Sequence, residues 1–217
     1  MGVIRSQGSG CRMQVLDRPF MKPNISLVFI LIIIAVWVLN TFLFQGELHY
    51  WAVRHPQSSN AFWWLAALTL LFFNMPYTAE GNLILGIFQL LGNCLFLHIT
   101  TTILIPKIGR LRTMTVFVIC GVISYAVSVY RFYLAGAIRG GGGASVGIYG
   151  LIALIALYCM FDKEFWLKWV KFAEFKSILG YIVIGNITHG YVMAFLAGAV
   201  LWLIFKNKEG PTGGSAS

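Results

Sequence analysis

"ISLVFILIIIAVWVLNTFLF", Ile25 to Phe44, is a run of twenty residues without a single charge. A helix of about 20 residues spans the roughly 30 Å hydrocarbon core of a bilayer. Only Ser26, Asn40 and Thr41 interrupt the run with strongly polar groups. No small-residue cleavage site follows it, so it reads as a membrane span rather than a removable signal.

The chain around this run has the same character. It holds 217 residues, 59% hydrophobic and only 11% charged. Soluble domains carry about 25% charged residues. The mean hydropathy is +0.79. Four more apolar runs follow: Leu83–Ile105, broken by Gln89, Asn93 and His98; Met114–Leu134; the shorter Ser145–Phe161; and Thr188–Phe205.

Between the last two runs stands "KEFWLKWVKFAEFKSILGYIVIGNITHG", Lys163 to Gly190, whose uncharged core is only Ser177–Ile187. The aromatic and basic part before that core suits a membrane interface. It reads as one helix that starts among the headgroups and spans by snorkelling Lys168, Lys171 and Lys176. The fold expected is therefore all-α: a polytopic membrane protein with six transmembrane helices. Residues 45–82 are too many for a turn. Their "AFWWLAALTLLFF", Ala61 to Phe73, is too short to span and reads as re-entrant or in-plane. Residues 1–24 form a cytoplasmic N-terminal segment, 25–206 the membrane domain, and 207–217 a disordered Gly/Ser-rich tail.

Charge orients the spans. With the N-terminus in the cytoplasm, thirteen Lys and Arg fall on the inner side and three on the outer, namely Arg54, Arg131 and Arg139. Cytoplasmic segments are enriched in Lys and Arg, so six spans with both termini inside fit. The net charge of +9 then reflects topology, and no nucleic-acid partner is expected. The bilayer is the expected surrounding, and a bacterial plasma membrane the expected location.

This topology brings polar side chains to one depth. Gln89 and Asn93, Ser145, and His189 fall in the outer halves of three different spans. Polar groups in a span are costly and usually face a partner or a water-filled cavity. A serine becomes a nucleophile when a neighbouring histidine takes its proton. Gln89 and Asn93, four apart on one helix, offer amide donors for a developing oxyanion. Ser145 follows "RGGGGA", Arg139 to Ala144, and opens a helix whose first N–H groups favour an anion. Tyr149 lies one turn deeper on the same face.

The pattern resembles the rhomboid intramembrane serine proteases, over roughly Ile25 to Phe205. The residues that carry it are "QLLGN", Gln89 to Asn93, with Gly109 beyond it; "GASVGIY", Gly143 to Tyr149; and "THGYVMAFLAG", Thr188 to Gly198. The resemblance implies a six-helix core and a Ser145–His189 dyad without an acid. It further implies an oxyanion hole from Asn93, Gln89 and the Ser145 N–H, with Tyr149 and Gly143 in support. The substrates implied are transmembrane proteins, cut at an unwound peptide bond. No cofactor and no metal are expected.

Four positions depart from the family pattern. Gln89 stands where the family has a histidine. Val146 follows the serine where the family has a glycine, and the next glycine is Gly147. Val192 replaces a glycine three after the histidine. The first outer loop has no adjacent Trp-Arg pair, offering Trp51 and Arg54, or Trp63–Trp64, instead. A second reading follows: an inactive rhomboid-like protein that binds and routes transmembrane segments.

Other chemistries find less in the sequence. Gly-x-Ser-x-Gly alone also serves helix packing in membranes. His98, deeper in the second span, reads as a buried structural donor, and His49 and His55 as loop residues. No HExxH occurs, which argues against a zinc protease. No span carries an aspartate or glutamate, which excludes an aspartyl protease. Cys11, Cys94, Cys120 and Cys159 show no CxxC spacing, so packed thiols are expected rather than a disulfide or metal framework.

Overall fold

The computed structural model describes residues 25–44, 83–134, 144–172, 175–178 and 189–208; for 128–134, 189–191 and 206–208 it describes the backbone alone. These residues are all-helical apart from short connections. The helices are α1 (Ile25–Val38), continued by a π-helical turn (Leu39–Leu43), α2 (Leu83–Ile108), α3 (Arg110–Leu134), α4 (Ser145–Phe161), α5 (Lys163–Trp169) and α6 (His189–Lys208).

The expected first, second, fourth and last runs begin or end within a few residues of α1, α2, α4 and α6. Three helices among the described residues are long and apolar enough to cross a membrane, and four if α4 and α5 count as one broken span. α6 is shorter in its apolar part, Val192–Phe205. The expected span Ser177–Ile187 lies almost wholly outside the described residues. So do the N-terminal segment, the loop with Ala61–Phe73, and the tail from 209.

α4 is the centre of the fold. Every residue from Ser145 to Ile155 is buried, and α2, α3 and α6 all pack on it. A helix that is apolar on every side needs such surroundings. Around it, α1, α2 and α6 turn large apolar side chains outward, among them Leu31, Phe42, Phe88, Leu91 and Val200. Apolar surface on this scale belongs against lipid.

Glycines set how closely the helices approach. A Cβ added at Gly147 would lie 2.6 Å from both the Phe117 ring and its carbonyl oxygen on α3. One at Gly198 would lie 2.6 Å from the Gly150 carbonyl and 2.9 Å from the Ala153 Cβ. One at Gly150 would collide with the Cys120 side chain of α3 and lie 3.5 Å from the Ala194 carbonyl of α6. Lipid tails compete with side chains for apolar contact, so close backbone packing holds membrane helices together. The Thr100, Thr101 and Thr102 hydroxyls are satisfied within α2, donating to carbonyls four residues back.

The joints have identifiable causes. Gly109, with φ of +83°, allows the left-handed turn between α2 and α3. Asp162 is extended after α4, and its carboxylate accepts from the Phe165 N–H at 2.9 Å. This N-cap starts α5 at 115° to α4. The structure therefore corrects the single helix expected from Lys163 onward. α5 stops at Trp169, residues 170–172 turn, and the described residues are helical again at 175–178. Lys168 and Lys176 sit on different pieces. The Phe165 ring packs on Trp169 within α5, and Phe172, beyond the turn, packs back on Trp169.

Candidate active site

Ser145 is the first residue of α4. Its side chain is buried, with 8% of the residue exposed. The preceding Ala144 is helical in backbone and gives no side-chain cap. The first N–H groups of a helix have no intrahelical acceptor, so this terminus suits a developing negative charge. Tyr149, one turn on, is also buried.

Contacts below Ser145 set the register of α4 against α6. Gly150 meets Ala194, Gly198 faces Gly150 and Ala153, and Trp202 meets Tyr158 and Phe161. Partners that advance together along both chains mean that the two helices run in the same direction. These pairs lie 41 to 48 residues apart, and Ser145 and His189, which begins α6, are 44 apart. The two helix starts therefore lie within about one turn of each other. The His189 side chain lies outside the described residues.

α2 packs on α4 as well. Its C-terminal end meets that of α4 where the Lys107 ammonium pairs with Asp162 at 2.9 Å. Asn93 is buried, with 2% exposed. It belongs to the stripe of Gly86, Leu90, Asn93 and Leu97 that α2 turns inward.

Gln89 does not share that environment: it is exposed, beside exposed Leu85 and Phe88. Four residues advance a helix by about 40° beyond one turn, and here that angle separates an inward from an outward position. His98 is exposed as well, which corrects its expected burial. Gly143 lies outside the described residues, as do His49, His55, Trp51, Arg54, Trp63 and Trp64. Cys94, Cys120 and Cys159 are free thiols. Among the described residues, no group of three or more metal-ligating side chains gathers.

Sequence reasoning missed the packing residues that hold the level of Ser145. Gly147 looked like part of a serine motif, and its bare Cα is where α3 lies against α4. Val192, which departs from the glycine that the resemblance implies, is exposed. The close approach of α4 and α6 falls six residues later, at Gly198. The signal was present as Ala194-x-x-x-Gly198, a small-residue spacing typical of membrane helix contacts. Compared with protein-family models, curated proteins and solved structures, the chain matches none.

Proposed function

We propose that this protein is an intramembrane serine endopeptidase that cuts transmembrane substrates through a Ser145–His189 dyad. The observation that supports the reading is the register: a buried serine opens α4, and a histidine opens the adjacent, parallel α6 within about one turn of that level. In this reading Ser145 Oγ attacks the scissile carbonyl, and His189 takes its proton and later gives it to the leaving amine. Asn93 and the Ser145 N–H receive the oxyanion, with Gln89 at their edge. The substrate peptide bond must be unwound, because a helix engages its own carbonyls. The end of the bundle with Lys107, Arg110, Arg112, Lys163 and Lys168 is cytoplasmic, and the dyad lies toward the outer side of six spans.

A second reading, a rhomboid-like binder that does not cut, is favoured by buried Val146 beside the serine and by exposed Gln89. One experiment separates the two. Purified protein in liposomes is treated with a serine-directed fluorophosphonate, and cleavage of a reporter transmembrane substrate is followed. The protease reading expects labelling and cleavage in wild type and neither in Ser145→Ala. Wild type that neither labels nor cleaves leaves the binder.

A further inference from the structure

Where α4 gives way to α5, the ends of α2, α4 and α5 enclose an open cleft of about 170 Å³. A single water needs only about 10–15 Å³ on that measure, so the cleft admits a larger group. Four charged side chains line it, two of each sign: Lys107, Asp162, Glu164 and Lys168. Ile103, Pro106, Phe165 and Trp169 supply its apolar part.

Its depth follows from the chain. Uncharged α4 ends at Phe161, and seven-residue α5 turns away by 115° carrying Lys163, Glu164 and Lys168. Such a bend at the end of an apolar helix belongs among lipid headgroups, where aromatic and basic residues collect. The cations are held in place: Lys107 lies 2.9 Å from Asp162 and 5.4 Å from the Tyr158 ring centroid, and Lys168 lies 5.7 Å from that of Trp169.

The charges select the ligand. A phosphate alone meets two ammonium groups but also two carboxylates that repel it. A ligand with both a phosphate and a primary amine matches both pairs. We propose that this cleft binds one zwitterionic aminophospholipid of the surrounding bilayer. Its phosphate lies toward Lys107 and Lys168, and its ammonium lies toward Asp162 and Glu164. A quaternary amine has no N–H to donate to the carboxylates, and an anionic glycerol headgroup brings them no cation. The site is independent of the proteolytic reading.

The test uses the full chain in bilayers of equal parts phosphatidylethanolamine, phosphatidylcholine and phosphatidylglycerol, with retained lipid counted by native mass spectrometry. Wild type retains one phosphatidylethanolamine in preference to the other two. Glu164→Gln cuts that preference about fivefold, the scale of one partly exposed ion pair. Lys168→Gln lowers retention of all three lipids, while Lys171→Gln, exposed on the same segment but outside the cleft, changes nothing. All three positions are exposed, so the substitutions spare the core. Equal retention of the three lipids by wild type overturns the proposal. So does a Glu164→Gln protein with unchanged preference, or a Lys171→Gln protein as impaired as Lys168→Gln.

Discussion

At the scale of single residues, the reading rests on Ser145, His189 and Asn93. Ser145→Ala and His189→Ala are each expected to lower cleavage of a reporter substrate by about a thousandfold or more while leaving thermal unfolding in detergent unchanged. A Ser145→Ala protein with wild-type turnover would sink the protease reading. Asn93→Ala should cost about 100-fold in turnover, the scale of one lost oxyanion donor. Gln89→Ala should cost less, because Gln89 stands at the exposed flank of α2 and Asn93 in its buried stripe. The dyad's base must be neutral to accept a proton, so turnover should fall on the acid side with uptake of a single proton. Gln89→His adds a second titrating group, and a profile of cleavage against pH for the two proteins reveals it. If Asn93→Ala and Gln89→Ala both cleave at wild-type rates, α2 takes no part in the chemistry.

Among the elements, α4 depends on close contacts with α3 and α6. Gly147→Ala forces a methyl group against the Phe117 carbonyl, which cannot move without shifting α3. Overpacking of this kind costs about 1–3 kcal/mol. Gly198→Ala meets the Gly150 carbonyl in the same way and should also lower the unfolding temperature. Because both glycines set the level of α4, both variants should lose cleavage beyond what instability explains at a temperature where they remain folded. The joint at Asp162 gives a pH dependence. Burial alone would raise the Asp162 carboxyl, but the Phe165 N–H and the Lys107 ammonium outweigh it and hold the group below its ordinary value of 3.8. A carboxyl lowered in the folded state stabilises the fold above the unfolded value. That contribution is lost as pH falls through the lowered value. Unfolding of wild type should therefore become easier below about pH 4, and Asp162→Asn, which still caps α5, should flatten that part of the curve. Asp162→Ala should cost about 1 kcal/mol more than Asp162→Asn, through loss of the cap.

For the whole molecule, the decisive matter is orientation. Lys107 and Asp162 bring the C-terminal ends of α2 and α4 together, and Arg112 lies over the Phe205 ring near the end of α6. Basic residues of three segments, Lys107 of α2, Arg112 of α3 and Lys168 of α5, thus gather at one end of the bundle. The positive-inside rule then predicts that this end, and both termini, face the cytoplasm. Single cysteines introduced at positions 2 and 215 should resist a membrane-impermeant thiol reagent in intact cells and react after permeabilisation. Labelling of either in intact cells breaks the orientation and moves Ser145 to the inner side.

How much of this was legible beforehand follows from the range of the forces involved. Ile25–Phe44, Leu83–Ile105 and Ser145–Phe161 read as helices because the thickness of a bilayer sets their length and every residue in them answers locally to that one demand. Ser145 and Tyr149 were placed on one buried helix by spacing alone. Neighbours remote in sequence decided the rest. Gly147 became a packing glycine only because Phe117 lies against it, and Gly198 because Gly150 does. Asn93 and Gln89, equivalent by spacing, were separated by which face of α2 its neighbours cover. The single helix expected from Lys163 is interrupted at residues 170–172, where the Trp169 and Phe172 rings pack on each other, and its angle to α4 was set by Asp162, which pairs with Lys107 on a helix far back along the chain. The sequence by itself determined which segments leave water, since transfer into lipid is a property of each segment. Only the tertiary structure decided which faces meet and at what level, since close packing is a property of pairs.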